Sequence, residues 1–141
     1  MPIKSKGLHA AIDRVTDRNA PNGAWVIAEV IGMGERFDLY DEGEGVETLR
    51  ESLPLDNVCF VLISLRTTVD GTPNIPRVIF LHWKGPKCRG IKVARANQLT
   101  QMAWNVMKPH HGHLEVLGLD EITAEELLKK LDPSSGSHVV S

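Results

Sequence analysis

The stretch WKGPKCRGIKVAR, residues 83–95, holds five bases: Lys84, Lys87, Arg89, Lys92 and Arg95. They fall at what reads as the start of a helix. A helix N-terminus is the positive end of the macrodipole, so basic side chains there are mildly unfavourable. Their chemistry is recognition of an acidic partner rather than local stability. A second cluster, KPHHGH (108–113), raises a metal question through His110, His111 and His113. Zinc needs three or four ligands in a tetrahedral array. No cysteine is near and Glu115 is the one acid close by, so a solvated turn before the last strand is the simpler reading. Nothing resembles a catalytic constellation. Ser64 lies in an apolar run with no G-x-S-x-G setting. His82 sits inside an apolar strand as a core or face histidine. Gly32 and Gly34 mark a hairpin turn, not a phosphate loop. The expected protein is not an enzyme, and no cofactor or metal is called for.

The five bases belong to a larger asymmetry that the net charge of −2 conceals. Residues 29–56 hold nine acids against Arg36 and Arg50, whereas 71–114 holds no acid and seven bases, among them Arg77 and Lys108. Such a split produces a polar field whose basic pole can dock an acidic partner. Opposite poles neutralising each other across the fold is the alternative.

Size and composition set the frame. At 141 residues, 42% apolar and 24% charged, the chain suits one soluble globular domain. No apolar run approaches the ~18 residues that span a bilayer. The N-terminal MPIKSKGLHAAIDRV lacks the apolar core of a secretory signal. Cys59 and Cys88 form no CxxC and read as free thiols in a reducing cytosol. The expected location is cytoplasmic.

The elements that position these residues follow from periodicity. Leu8, Ala11, Ile12 and Val15 predict a helix over 5–18. AWVIAEVI (24–31) and ERFDLY (35–40) read as a hairpin, the second strand edge-like, and DEGEG (41–45) as a loop. VETLRESL (46–53) is a short amphipathic helix. NVCFVLISLR (57–66) is nearly all apolar and β-branched, so both its faces should be covered by helices. TTVDGTPNIP (67–76), with Asp70-Gly71 and two prolines, reads as a loop whose mouth holds Arg77, first residue of the strand 77–83. Residues 88–107 form the longest helix, 113–119 a last strand, and 120–131 a last helix with a Thr123/Glu126 capping box. The expected fold is α/β (α+β): one domain over 1–132 with a mixed, about five-stranded sheet sandwiched between helices, then a disordered tail, 133–141.

The longest helix carries two characters. At ~100° per residue, Ala96, Leu99, Met102, Ala103, Val106 and Met107 share one arc, and Asn97, Gln98, Gln101, Asn105 and Lys108 the opposite one. Lys92 and Arg95 fall inside the apolar arc. Burying two unpaired charges against a sheet is costly, so the first turns must overhang the sheet edge or the axis must turn. Solvated snorkelling is the bland account; a binding face is preferred.

Order and spacing together resemble the actin-depolymerising-factor homology family, which includes the cofilins, twinfilin repeats, the drebrin-type N-terminal domain and coactosin. The similarity covers roughly residues 5–131. It is most specific in RVIFLHWKGPKCRGIKVARANQLTQMAWNVM, and VCFVLISLRTTVDG, GMGERFDLYDEGEGVETLRESL and HLEVLGLDEITAEELLKKL are similar to coactosin segments. The resemblance implies actin binding, with the N-terminal half of the long helix against a filament subunit. It carries over Lys92 as a contact position. Ala94 stands where cofilins have a lysine and coactosins a small residue, and Arg95 where coactosins carry a base. Arg77 stands where members carry a basic filament contact, and Lys129 and Lys130 lie on the closing helix, the other part of that surface. With Lys84, Lys87, Arg89 and Gln98 these make the implied actin-binding set. Pro2 follows Met1, so cofilin-type phosphorylation beside the initiator methionine is not implied. The resemblance thus points to a monomeric coactosin-type binder of filament sides without strong severing, associated with the cytoskeleton. The alternatives are a cofilin-like monomer-binding, depolymerising factor, or a basic face for phosphoinositides or nucleic acid. Few aromatics speak against nucleic acid.

Overall fold

The computed structural model describes residues 3–31, 36–87, 91–107, 112–116 and 118–131, with side chains at 5–31, 36–87, 99–107 and 118–129. In chain order the elements are β1 (Ile3–Lys4), α1 (Lys6–Thr16), β2 (Ala24–Ile31), β3 (Arg36–Glu44), α2 (Val46–Ser52), β4 (Val58–Val69), β5 (Thr72–Lys84), α3 (Ile91–Val106), β6 (Gly112–Val116) and α4 (Ala124–Leu131), with a 3₁₀ turn at Leu119–Glu121.

The strands form one mixed sheet in the order β1-β3-β2-β4-β5-β6. Its four middle strands are antiparallel, and β1 and β6 add to the two edges in parallel. The strand missing from the sequence reading is β1, whose two residues are too short to show a period. The alternation of β4 explains the layers. Phe60 and Leu62 face a cluster that includes Leu8, Ile12 and Val15 of α1 and Leu99, Ala103 and Val106 of α3. Cys59, Val61, Ile63 and Leu65 face Leu49 of α2 and Leu127 of α4 on the other side. Val58 through Leu65 are all buried, as a strand covered on both faces requires.

Caps and ties hold the layers. Ser5 accepts the Leu8 N–H at 3.2 Å and starts α1. Arg14 ties α1 to the sheet, with Nε 3.0 Å from Glu42 Oε1 and Nη2 donating to the Trp25 carbonyl at 3.2 Å. The strand β3 runs on through 41–44, which the sequence reads as loop. Gly43 is the reason: a Cβ there would meet the Trp25 ring at 2.8 Å, so the glycine admits the indole rather than ending the strand. Trp25 completes the fit by donating Nε1–H to Thr48 Oγ1 at 3.1 Å.

Two other boundaries differ from expectation. The last helix begins at Ala124, not 120; Thr123 caps it, its hydroxyl accepting the Glu126 N–H at 3.0 Å. The segment 67–76 is not a loop but the outer part of a β4–β5 hairpin closed by Asp70 and Gly71. Both turn residues have positive φ, 50° and 81°, as a two-residue hairpin turn requires. Pro73 and Pro76 are tolerated because, among the described residues, β6 pairs with β5 from Ile79 to Trp83 and nothing pairs with that side of β5 below Ile79. Arg77 therefore lies mid-strand rather than opening a strand.

Candidate docking surface

The W-x-G block that joins β5 to α3 has a mechanical explanation. Trp83 is fully buried and donates Nε1–H to the Pro54 carbonyl at 2.6 Å. Gly85 lies so close to the 55–57 backbone that a Cβ would run into the Leu55 carbonyl oxygen. Two bonds sew the segments together: Gly85 N–H to Asn57 O at 3.0 Å and Lys87 N–H to Leu55 O at 2.8 Å. The chain thus leaves β5 along a fixed path, and the start of α3 inherits it.

Contacts along α3 set its register on the sheet. Trp104 packs edge-on against Phe80 with centroids 5.7 Å apart. Thr100 Oγ1 lies 3.2 Å from His82 Nδ1. Four helix residues, about 6 Å, thus match two strand residues, about 6.6 Å, with helix and strand running oppositely. The same register puts Ala96 abreast of Lys84, where β5 ends, and Lys92 a further turn out, about 6 Å beyond the strand. Met102, assigned to the apolar arc, is instead 39% exposed at its margin. Trp104 is half-buried. His82 is the core histidine expected: buried, stacked on Phe60 at 5.0 Å and facing α3.

The candidate residues fall into two groups. Lys84, Lys87, Lys92, Arg95 and Gln98 gather around the C-terminal end of β5 and the first turns of α3. Lys84 stands on the α3 side of the sheet and is half-buried; Lys87 is exposed. Arg77 pairs with Leu65 and so shares the α4 face of the sheet, about 23 Å back along β5. It is half-buried, and its side chain has no hydrogen-bond or ionic partner among the described residues. Lys129 is exposed on α4, with Lys130 next in the same helix. Arg89 and two of the clustered histidines, His110 and His111, lie outside the described residues, as does the expected tail. Among the described residues no group of three or more His, Cys, Asp or Glu side chains would hold a metal ion. None of the described helices is long and apolar enough to cross a membrane.

Sheet order also separates the charges. The acids Asp38, Asp41, Glu42 and Glu44 lie on β3 and Glu47 and Glu51 on α2. Two strands, β2 and β4, stand between β3 and β5, about 14 Å in all. The acids of β3 and the bases of β5 are thus set apart across the sheet. Sequence reasoning passed over Arg66, whose side chain is hydrogen-bonded to three backbone carbonyls at the root of the hairpin. The available signal was an arginine closing an apolar run a few residues ahead of an Asp-Gly turn.

The frame is a helix laid across one face of a mixed sheet, with a hairpin arm that extends two of its strands. The chain belongs to the cofilin/tropomyosin-type family of actin-binding proteins, whose model matches residues 1–132. Human coactosin-like protein shares its fold at TM-score 0.78 and 16% identity, over 93% of this chain and 97% of that one. Coactosin from Entamoeba histolytica does so at 0.76 and 18%, over 97% and 98%. Streptomyces griseoflavus cofilin follows at 0.75 and 9%, over 94% and 98%. A search of curated protein sequences finds no match.

Proposed function

We propose that this protein binds the sides of actin filaments in the manner of coactosin, as a cytoplasmic, cytoskeleton-associated monomer that catalyses nothing. Membership of the actin-binding family over residues 1–132 carries this reading. Two separated groups of bases support the filament reading. One lies around the start of α3 and one on the arm and α4, on opposite faces of the sheet. A partner that engages both surrounds more than one face of the domain, which an extended filament with neighbouring subunits readily offers. Lys84, Lys87, Arg89, Lys92, Arg95 and Gln98 form the first contact set, and Arg77, Lys129 and Lys130 the second. Ala94, where cofilins carry lysine, leaves strong monomer binding and severing without support.

Co-sedimentation with actin filaments, beside gel filtration with actin monomer, tests this. Pelleting without a monomer complex is the expected result. A monomer complex without pelleting would favour the cofilin-like alternative. The same bases suit the phosphates of a phosphoinositide head group, so vesicles carrying it should compete with filaments. Binding to nucleic acid, if it occurred at all, should fall steeply with salt, whereas an actin contact keeps an apolar part.

A further inference from the structure

The outer half of the β4–β5 hairpin, residues 66–77, is exposed or half-buried throughout. Among the described residues, its ties to the body converge on Arg66. Arg66 Nη2 donates to the carbonyls of Arg18 at 3.0 Å and Ala20 at 2.7 Å, both in the turn between α1 and β2. Its Nη1 donates to the Asn74 carbonyl at 3.1 Å, across the hairpin. Its backbone N–H donates to Asn22 Oδ1 at 2.9 Å. Asn74 is itself unusual. Its φ is 59°, and it lies where β5 carries one residue more than β4, between the pairs Thr67–Ile75 and Val69–Thr72. A bulge re-aims the strand that follows it, and Arg77 comes three residues later.

A planar guanidinium suits three carbonyls that approach from two segments, because its donors project in a fixed fork. The compact ammonium of a lysine reaches fewer at once. Arg66 and Arg77 also stand on opposite faces of the hairpin: Arg66 on the α1 side, where it is spent on internal bonds, and Arg77 on the other, where none is made. We propose that Arg66 is a positioning residue for filament binding, which rests on the filament reading above. It clamps the arm to the α1–β2 turn and thereby sets where Arg77 meets the filament, without touching actin itself. Without the clamp the arm must be ordered on binding, at a cost in affinity.

Arg66→Lys and Arg66→Met, compared with wild type by hydrogen exchange and by filament co-sedimentation, test the clamp. Both should speed exchange of the 67–75 amides about tenfold while leaving 58–65 protected, since opening is local. Both should weaken filament binding about tenfold through lost preorganisation, at an unshifted melting temperature. Wild-type affinity in Arg66→Lys would overturn the proposal, since charge alone would then suffice. Lost binding with unchanged exchange would overturn it too, by making Arg66 a direct contact. Faster exchange in the inner strands would reduce Arg66 to general stability. Wild-type protein that fails to pellet would sink the filament reading, while exchange of 67–75 still decides whether the clamp exists.

Discussion

From Val58 to Leu65 every side chain of β4 is buried, and from Arg66 to Val69 none is. On β5 the same change falls between Arg77 and Val78. One continuous ladder therefore has two halves with different supports. The inner half is held by apolar burial from both faces, Phe60 stacking on Phe80 at 5.8 Å and meeting Phe37 at 6.3 Å. Among the described residues, the outer half is held by backbone pairing, a two-residue turn and the hydrogen bonds at Arg66. Packing is cooperative and non-directional, so the inner half sets stability. Hydrogen bonds are directional, so they fix the path of the outer half, whose side chains remain exposed or half-buried.

The strongest way to break this contrast lies in the inner half. Phe60→Ala should cost about 3–5 kcal/mol in urea unfolding, from lost burial and a cavity under three rings. Whatever folded protein remains should still pellet with filaments; specific loss of binding would mean that the halves are not separable. Gly85→Ala comes next. Overpacking against the Leu55 carbonyl should cost about 1–3 kcal/mol. Because the path into α3 shifts with it, filament binding should weaken as well.

Charge reversal isolates the surface from the core. Arg77→Glu, and separately Lys92→Glu with Arg95→Glu, should each weaken filament binding by tenfold or more, about 1.4 kcal/mol. Stability should stay within about 0.5 kcal/mol of wild type. Unchanged pelleting in either case would remove that surface from the interface and leave the other alone. Ser64→Ala sharpens the inner half in the opposite sense. The buried Ser64 hydroxyl finds no hydrogen-bond partner among the described residues. Replacing it should raise stability by about 1 kcal/mol, read as a higher urea midpoint. The smallest expected effect is at Cys59. Burial first, and the nearby Glu29 carboxylate second, push its thiol well above the usual range. Site-resolved alkylation of the native protein at pH 8 should leave it unmodified; rapid labelling there would show that the inner half opens.

Much of the architecture was legible beforehand because it rests on short-range pattern. The apolar run of β4 announced a strand covered on both faces, and Leu8, Ile12 and Val15 announced which face of α1 turns inward. Boundaries failed where a residue's usual meaning was overridden by a neighbour. Gly43 looked like a loop signal and proved to be the floor under Trp25. Pro73 and Pro76 outweighed the Asp-Gly turn beside them because edge exposure, which makes proline harmless in a strand, is not encoded locally. For the docking surface, the bases and their misfit on the apolar arc of α3 were visible from spacing alone.

By itself, then, the sequence determined the layers, the long helix with its misplaced charges, and the resemblance that implies actin. Those depend on periodicity and composition, which every residue carries with it. Only the tertiary structure decided that Arg77 and Lys84, seven positions apart, stand on opposite faces of the sheet and at opposite ends of the strand's covered part. It alone set the acids of β3 two strands from the bases of β5, and gave two similar arginines different surroundings. The physical reason is that a side chain's partners are set by strand register and by backbone carbonyls brought in from distant segments. Neither is written in the residues next to it.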